Sequence, residues 1–402
     1  MTEVTFDNNS ATRRKARAEE QHELSISHYQ GDLHTHTRTD ISEPKLPEDI
    51  VESRRGSNCG EIPLGALVAY HSQVMKNQVL AITNHSRDAN PKAAVDGIRH
   101  WFVEMYKSHP TWLQENFHKS LEELDTDDWS KIQELAASQA KQVALYGDER
   151  LEQIIADIDV LDGKDQIQVL KGVEVSLKPD GSFDTELVDQ GVFDLVNVSI
   201  HPQIDPEKFA SIIASPKEYT ELVVKGIRHP KANTICHIGF DCEPQLVEEL
   251  DWDQICQAAI ENNVAIEINL NDLMRYIYKE MLNYEKYPAD SSTYKTAFKE
   301  KLPQLIHLLT SSNIRNKLRQ YLGNGLKLAI NTDQHKSPYI QSETTQAGTT
   351  FSFTDHDFRF WRCLKMTEKY FNQLFTDAGV GRENIINTFS QEELTRFLHK
   401  VD

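Results

Sequence analysis

Short apolar runs alternate along most of the chain with segments of helical periodicity. Seven runs rich in Val, Ile and Leu lack strict apolar–polar alternation, which is typical of strands covered on both faces. They predict strands at about residues 29–33, 78–83, 167–175, 194–199, 233–238, 263–268 and 326–331. Strands that alternate with helices indicate βαβ units and a parallel sheet. The pattern therefore predicts an α/β fold in which seven strands approach a barrel-like closure.

Amphipathic stretches that predict helices lie mostly between these runs, at residues 47–55, 64–77, 216–227, 246–263 and 301–324. The segment from 86 to about 165 is too long for one connection between a strand and a helix. It predicts a helical insertion after strand two, with Trp101, Phe102, Trp112 and Phe117 as packing residues. Two interpretations of the insertion stay open: a cap that shapes substrate access, or additional packing around the barrel.

Polar segments suggest how the rest of the chain is organised. Residues 1–27 form a charged polar leader, and residues 28–402 form the barrel domain that carries the insertion. A Tyr-rich polar excursion at 271–300 follows strand six, where either a lid or a surface loop fits.

Composition narrows the class of protein. Of the 402 residues 39% are hydrophobic, enough for a sizeable core, and the formal net charge is −19. A surface with this much negative charge repels phosphate backbones. We therefore do not expect a long nucleic acid as a partner. The five cysteines are scattered without a CxxC pair, which suits a reducing compartment. With no signal-peptide pattern and no run of about 18 apolar residues, we expect a cytoplasmic protein and no membrane partner.

Residues that bind metals recur at the ends of the predicted strands. The segments "GDLHTHT", "VLAITNH", "VLKGVEVS", "DLVNVSIHP", "NTICHIG" and "LKLAINTDQH" supply His34, His36, His85, Glu174, His201, His237, Asp333 and His335. Any one of these is more often an ordinary core residue. Together they predict one shared site, because parallel barrel strands all open onto one face at their carboxyl ends.

The ligand types indicate the chemistry. Histidine and carboxylate ligands select divalent ions such as Zn, Mn or Fe, with Ni or Co as further options. One ion takes roughly four to six ligands, so this many residues imply two or three ions. Ions about 3.5–4 Å apart can clamp the attacking and leaving oxygens of a phosphoryl displacement.

These motifs, in this order, resemble those of the PHP (polymerase and histidinol phosphatase) family, and the tail "GRENIINTFSQEELTRFL" resembles its closing helix. The resemblance covers most of residues 29–400 apart from the insertion and the polar loops. It implies a distorted seven-stranded (β/α)7 barrel, similar to a TIM barrel, with a trinuclear metal site at the carboxyl ends of the strands.

The resemblance also implies a distribution of ligands. One ion would take His34, His36, Glu174 and Asp333, and Glu174 would bridge to a second ion on His201 and His237. A third would sit on His85 and His335 with a carboxylate from the loop after His36, for which Asp40 is preferred over Glu43. The resemblance assigns the reaction itself to five of these residues: His34, His36, Glu174, Asp333 and His335.

Several neighbouring residues have weaker patterns. Arg38, Arg87 and Lys336 lie close to ligands and are candidates for binding substrate phosphate, with Arg228 a more distant one. Glu267 lies inside an apolar strand, where a buried carboxylate needs a partner, so we expect it to contact a ligand or a basic group. Asn84 precedes His85, where the family often has Asp. Cys236 is expected to be a small buried residue, and His71 to be structural or on the surface.

The function predicted from these residues is hydrolysis of a small phosphomonoester by attack of a metal-bound hydroxide. The alternative is a phosphodiesterase or nuclease that uses the same site on nucleotides or short oligonucleotides. A non-enzymatic module that keeps its metals for structure or regulation is a third hypothesis, which the full ligand set disfavours.

Overall fold

The computed structural model describes residues 30–37, 62, 64–86, 99, 102–103, 106–107, 110–143, 147–161, 167–201, 206–240, 242–271, 311–334, 341–345, 348–352 and 382–400. The predicted leader at 1–27 and nearly all of the polar excursion at 271–300 lie outside these residues.

Seven parallel strands form one sheet in chain order. They are β1 (Gly31–Thr35), β2 (Val79–Ile82), β3 (Gln168–Ser176), β4 (Leu195–Ser199), β5 (Thr234–Ile235), β6 (Ala265–Asn269) and β7 (Lys327–Asn331). The two outer strands, β1 and β7, meet through a parallel bridge between Thr35 and Gln334. The Leu33 N–H also donates to Asn331 Oδ1 at 3.1 Å. The sheet is therefore a nearly closed barrel, which confirms the predicted (β/α)7 architecture.

Side chains alternate between the two faces of the strands, as the pleat requires. In β6, Ile266 and Ile268 belong to the hydrophobic cluster that also contains helical residues, while Glu267 and Asn269 belong to the opposite face. All four are buried, because helices cover one face and the barrel interior takes the other. The interior is therefore where polar residues of the strands gather.

The helices of the described residues are α1 (Leu64–Tyr70), α2 (Pro110–Phe117), α3 (Thr126–Val143), α4 (Gly147–Val160), α5 (Pro206–Ile213), α6 (Pro216–Ile227), α7 (Pro244–Glu249), α8 (Trp252–Glu261), α9 (Ser312–Leu322) and α10 (Gln391–Leu398). A π-helical turn, His71–Met75, continues α1. Short 3₁₀ turns cover Leu121–Glu123, Arg382–Asn384 and Ile386–Thr388.

Capping residues explain where several helices begin. The Ser215 side chain accepts the Glu218 N–H, and Pro216 opens α6. The single helical stretch predicted at 246–263 is two helices, because Asp251 accepts the Gln254 N–H at 3.0 Å and starts a new one.

The chain end closes the barrel at the amino-terminal side of the strands. The Gln30 N–H donates to the Asn387 carbonyl at 2.7 Å, and Asn387 Nδ2 donates to the Gly31 carbonyl at 3.1 Å. Leu394 and Phe397 of α10 belong to the same hydrophobic cluster as the small interior residues of the strands. The opposite end, where the strands finish, is left for the site.

Helices α2 to α4 lie between β2 and β3, which confirms a helical insertion after strand two. Phe102, Tyr106 and Leu113 form a separate small core, and the rings of Tyr106 and Trp112 stack with centroids 3.9 Å apart. Trp101 lies outside the described residues.

An antiparallel hairpin of β8 (Gln341–Thr345) and β9 (Gly348–Ser352) was not predicted. Among the helices described, none has the length and apolar character needed to cross a membrane.

Candidate metal centre

Seven of the nine predicted metal ligands lie in the described residues, and the structure brings all seven together at the carboxyl ends of the strands. This ligand cluster consists of His34, His36, His85, Glu174, His201, His237 and Asp333, none of which is more than 8% exposed. Each follows or ends a different strand of the barrel, except that His34 and His36 share β1 and its extension. The fold thus places these seven predicted residues together at one end of the barrel.

Glu174 lies at the centre of the cluster. Its two oxygens face different histidines. Three histidine nitrogens lie near Oε2: His34 Nε2 at 3.4 Å, His36 Nε2 at 3.6 Å and His85 Nδ1 at 2.5 Å. Two lie near Oε1: His237 Nε2 at 2.8 Å and His201 Nε2 at 3.4 Å. A carboxylate flanked on both oxygens is suited to bridging two cations.

Asp333 completes the cluster beside β1. Its Oδ1 lies 3.0 Å from His36 Nε2 and 3.7 Å from His34 Nε2. Its Oδ2 accepts hydrogen bonds from Asn271 Nδ2 at 2.9 Å and Asn269 Nδ2 at 3.1 Å. Two amides therefore hold one oxygen and orient the other toward the histidines.

Three triads of the cluster have ligand atoms within 4.8 Å of one another: His34 with His36 and Asp333, His34 with Glu174 and His237, and His36 with His85 and Glu174. The first two resemble the groups expected for the first and second ions. The third places His85 beside His36, and their rings stack with centroids 4.6 Å apart. His85 thus also contacts the part of the cluster expected for the first ion.

Two residues of the ligand cluster have unusual backbone conformations. His237 has φ of 27° and Asp333 has φ of 51°, in the left-handed region that residues other than glycine seldom adopt. Such conformations are concentrated at functional sites, where the surrounding structure holds them.

The charges of the cluster are strongly coupled. Burial alone would raise the pKa of Glu174, but the charges of His85 and His34 and a hydrogen bond with His237 hold it well below its ordinary value. Burial lowers the pKa of His34, but Glu267 and the other nearby acids raise it well above its usual range. Glu174 is thus an ionised carboxylate, the form that binds cations.

Glu267 orients His34 from the side away from the cluster. Its Oε1 accepts from His34 Nδ1 at 2.6 Å and from Asn331 Nδ2 at 2.9 Å. Its Oε2 accepts from the His237 N–H at 3.0 Å and from Asn269 Nδ2 at 3.1 Å. Because Glu267 holds Nδ1, Nε2 is the ring nitrogen of His34 that faces Glu174 and Asp333 and is oriented to bind a metal ion. The expected contact between Glu267 and a ligand is present.

Other side chains hold the cluster in place. Ser199 Oγ donates to Glu174 Oε1 at 2.5 Å, and Ser176 Oγ lies 3.0 Å from His201 Nδ1. Asn84 accepts the Thr37 N–H and donates to the Thr37 carbonyl, both at 2.8 Å, which fixes the backbone just after His36.

The donor set fits divalent cations. His34 Nε2 is fully buried and has no hydrogen-bond partner among the described residues, and it faces Glu174 Oε2 at 3.4 Å and Asp333 Oδ1 at 3.7 Å. Buried polar atoms without hydrogen bonds are costly, and cations are the groups that satisfy neighbouring imidazole and carboxylate lone pairs. The cluster is therefore a candidate site for divalent metal ions.

Several predicted site residues lie outside the described part of the chain, and their roles stay predictions. They are Asp40, its alternative Glu43, His335, Arg38, Arg87 and Lys336. Arg228 is exposed at the C-terminal end of α6, on the side where β5 begins, so the structure does not bring it to the cluster. Cys236 is buried beside His34 and Glu267, within 4.8 Å of both.

The side chains that support the cluster were not predicted from the sequence. Ser199 ends β4 two residues before His201, and Asn269 lies two residues after Glu267 in β6, so the period of two was a usable signal. Arg150 is buried on α4, and its Nη2 donates to the carbonyl of His85. An arginine in an amphipathic helix carries no comparable signal.

Comparison with known proteins gives two sequence matches. One segment is 30% identical over 125 residues to the DNA polymerase/3'-5' exonuclease PolX of Bacillus subtilis (strain 168), covering 31% of this chain and 20% of that protein. Another match, to a protein of Aliivibrio fischeri (strain MJ11) named "Probable phosphatase", is 27% identical over 107 residues, covering 27% of this chain and 39% of that protein. The chain thus matches well under half the length of either relative. No family model matches it.

A solved structure was also found. Histidinol phosphate phosphatase from Lactococcus lactis subsp. lactis Il1403, complexed with zinc, L-histidinol and phosphate, aligns at 13% identity and a TM-score of 0.38, covering 88% of this chain and 95% of that one. The barrel assignment rests on the strand order of this chain itself.

Proposed function

We propose that this chain is a metal-dependent phosphoesterase of the PHP type that hydrolyses a small phosphomonoester. The observation that carries the proposal is the buried Glu174 carboxylate with histidines beside both of its oxygens. The two relatives, a polymerase with exonuclease activity and a protein named as a phosphatase, support chemistry on phosphate esters. Two or three divalent ions, Zn, Mn or Fe, would occupy the cluster.

Each of the proposed ligands would act through its fixed orientation. His34 would present Nε2 because Glu267 holds Nδ1, and Asp333 would present Oδ1 because Asn269 and Asn271 hold Oδ2. Preorganised ligands need no rearrangement as charge develops, which is the main source of electrostatic catalysis. The bound ions would neutralise phosphoryl charge and make water acidic enough to be a nucleophile near neutral pH.

The proposal also includes a third ion and residues that bind the substrate phosphate. His335 and either Asp40 or Glu43 would join His85 at a third ion. Arg38, Arg87 and Lys336 would contact the substrate phosphate, since cationic side chains bind phosphate oxygens.

A second candidate function is phosphodiester cleavage at the same cluster. It is favoured by the 125-residue match to a protein with 3'-5' exonuclease activity. The net charge of −19 opposes long nucleic acids, so the substrates would be nucleotides or short oligonucleotides.

The test is turnover of p-nitrophenyl phosphate and of bis-p-nitrophenyl phosphate by protein supplied with Mn²⁺ or Zn²⁺. The variants are His34→Ala and, as a matched control, His399→Ala, which removes an exposed histidine of the described residues. We expect faster cleavage of the monoester, lost in His34→Ala and kept in His399→Ala. Faster cleavage of the diester would favour the second function, and no cleavage of either ester by metal-loaded wild type would contradict both.

A further inference from the structure

Arg150 is the one lysine or arginine that is buried among the residues the structure describes, with 2% of its surface exposed. It lies on α4, the last helix of the insertion between β2 and β3. A buried guanidinium is strongly unfavourable unless hydrogen bonds and charges compensate for its lost hydration. Its guanidinium must therefore be held by hydrogen bonds or charges of the surrounding structure.

The guanidinium is directed at a residue of the ligand cluster. Arg150 Nη2 donates to the carbonyl oxygen of His85. That stretch of chain is joined to β3 by a parallel bridge between His85 and Glu174, and the Ser86 N–H donates to the Glu174 carbonyl at 2.9 Å. Arg150 therefore contacts the backbone that sets where the His85 ring stands relative to Glu174.

The same end of α4 is fixed at a second point. Asp148 Oδ1 accepts from Thr185 Oγ1 at 2.5 Å, in the loop after β3. The adjacent Asp184 accepts from Ser86 Oγ at 2.5 Å and from the Ser176 N–H at 3.0 Å. The first turn of α4 is thus held against the segments that follow both β2 and β3.

We propose that Arg150 is a positioning residue of the metal centre, which fixes His85 and makes the insertion a working part of the site. This inference rests on the proposed metal-dependent function. It favours the hypothesis that the insertion is part of the site over the hypothesis that it only adds packing around the barrel. Arg150 acts through His85, and no contact with substrate is assigned to it.

Four variants test the proposal. Arg150→Met keeps the apolar stem and removes the donors, and Arg150→Lys restores a charged donor. Ile154→Ala is the matched control, because Ile154 is buried one turn later on α4 against the cluster that contains Leu80 and Ile82 of β2. Metal-free proteins are titrated with Zn²⁺ by calorimetry, and His85→Ala identifies the binding step that depends on His85.

We expect Arg150→Met to weaken the His85-dependent step by about 10- to 100-fold, as loss of an outer partner of a metal ligand does. Arg150→Lys recovers part of this loss, and Ile154→Ala binds Zn²⁺ like wild type although its Tm falls. Equal affinity in Arg150→Met and wild type would overturn the proposal, and so would an equal loss in Ile154→Ala.

Neither result depends on turnover, so the two proposals fail in different ways. Wild-type protein that binds Zn²⁺ and cleaves no phosphate ester contradicts the phosphoesterase and leaves the Arg150 effect measurable. Wild-type protein that binds no Zn²⁺ overturns both.

Discussion

Replacing Glu267 by glutamine is the change whose effect is best defined by the structure. Four donors converge on the Glu267 carboxylate, two on each oxygen. They are His34 Nδ1 and Asn331 Nδ2 on Oε1, and the His237 N–H and Asn269 Nδ2 on Oε2. A glutamine keeps the shape of the side chain but turns one acceptor oxygen into an NH₂ group. In either orientation of the glutamine amide, its NH₂ group faces two of these buried donors, which then have no acceptor.

The arrangement leaves little room for compensation. Asn269 also donates to Asp333, and its Oδ1 accepts the Asn271 N–H at 2.8 Å, so flipping its amide would break both contacts. Each buried donor without an acceptor costs about 1–3 kcal/mol, so Glu267→Gln should lose about 2–6 kcal/mol of unfolding free energy. That is a large part of the roughly 5–15 kcal/mol that stabilises a domain.

The assay is urea unfolding of metal-free protein, with Zn²⁺ affinity measured on the same samples. Because the His34 proton is no longer held on Nδ1 by a carboxylate, we also expect Zn²⁺ affinity to fall by about 10- to 100-fold. Asp194→Asn is the control: Asp194 is a half-buried carboxylate at the start of β4 that accepts the Lys171 N–H at 2.9 Å, far along the strand from the cluster. A Glu267→Gln protein as stable as wild type, with the same Zn²⁺ affinity, would show that the Glu267 carboxylate neither stabilises the fold nor orients His34.

Two further predictions follow from single contacts. Burial lowers the pKa of His71 to about 4, although a hydrogen bond between its ring and Gln334 opposes this shift. As the pH falls, the unfolded chain therefore binds a proton at His71 near pH 6.5, whereas the folded protein binds it only near pH 4. The contribution of neutral His71 to the unfolding free energy is therefore complete above pH 6.5 and falls by about 3 kcal/mol between pH 6.5 and pH 4. Urea unfolding of His71→Gln should lack this part of the pH dependence of the unfolding free energy. An equal pH dependence in His71→Gln and wild type would contradict the prediction. Ser199→Ala removes the hydroxyl that donates to Glu174, so calorimetry should find Zn²⁺ bound about tenfold more weakly, and unchanged affinity would show that Ser199 does not orient Glu174.

The strand positions could be predicted because buried parallel strands leave a plain pattern of Val, Ile and Leu. The observed strand boundaries differ from the predicted ones where polar residues at the strand ends extend a strand or turn away from it. β1 runs on to Thr35, past the predicted end at residue 33, because it pairs with β2 through an irregular register. β5 pairs only over Thr234–Ile235, and the chain turns at His237 with φ of 27°.

The ligand cluster was predictable because one polar side chain ends each apolar run, and the barrel brings those ends together. The supporting contacts were not. Arg150 and His71 come from helical segments, where the same residue types occur on exposed faces, and their partners His85 and Gln334 are far away in sequence. Only the three-dimensional packing of α4 and of the turn after α1 decides what these side chains reach.

The central claim is that the ligand cluster holds divalent ions on which hydrolysis depends. The most direct measurement is the initial rate of p-nitrophenyl phosphate hydrolysis as metal-free protein receives increasing equivalents of Mn²⁺. We expect no hydrolysis without metal and a rise in rate that ends sharply at two or three equivalents, with no rise in His34→Ala. A rate that is independent of added Mn²⁺, or a fully loaded protein that remains inactive, would contradict it.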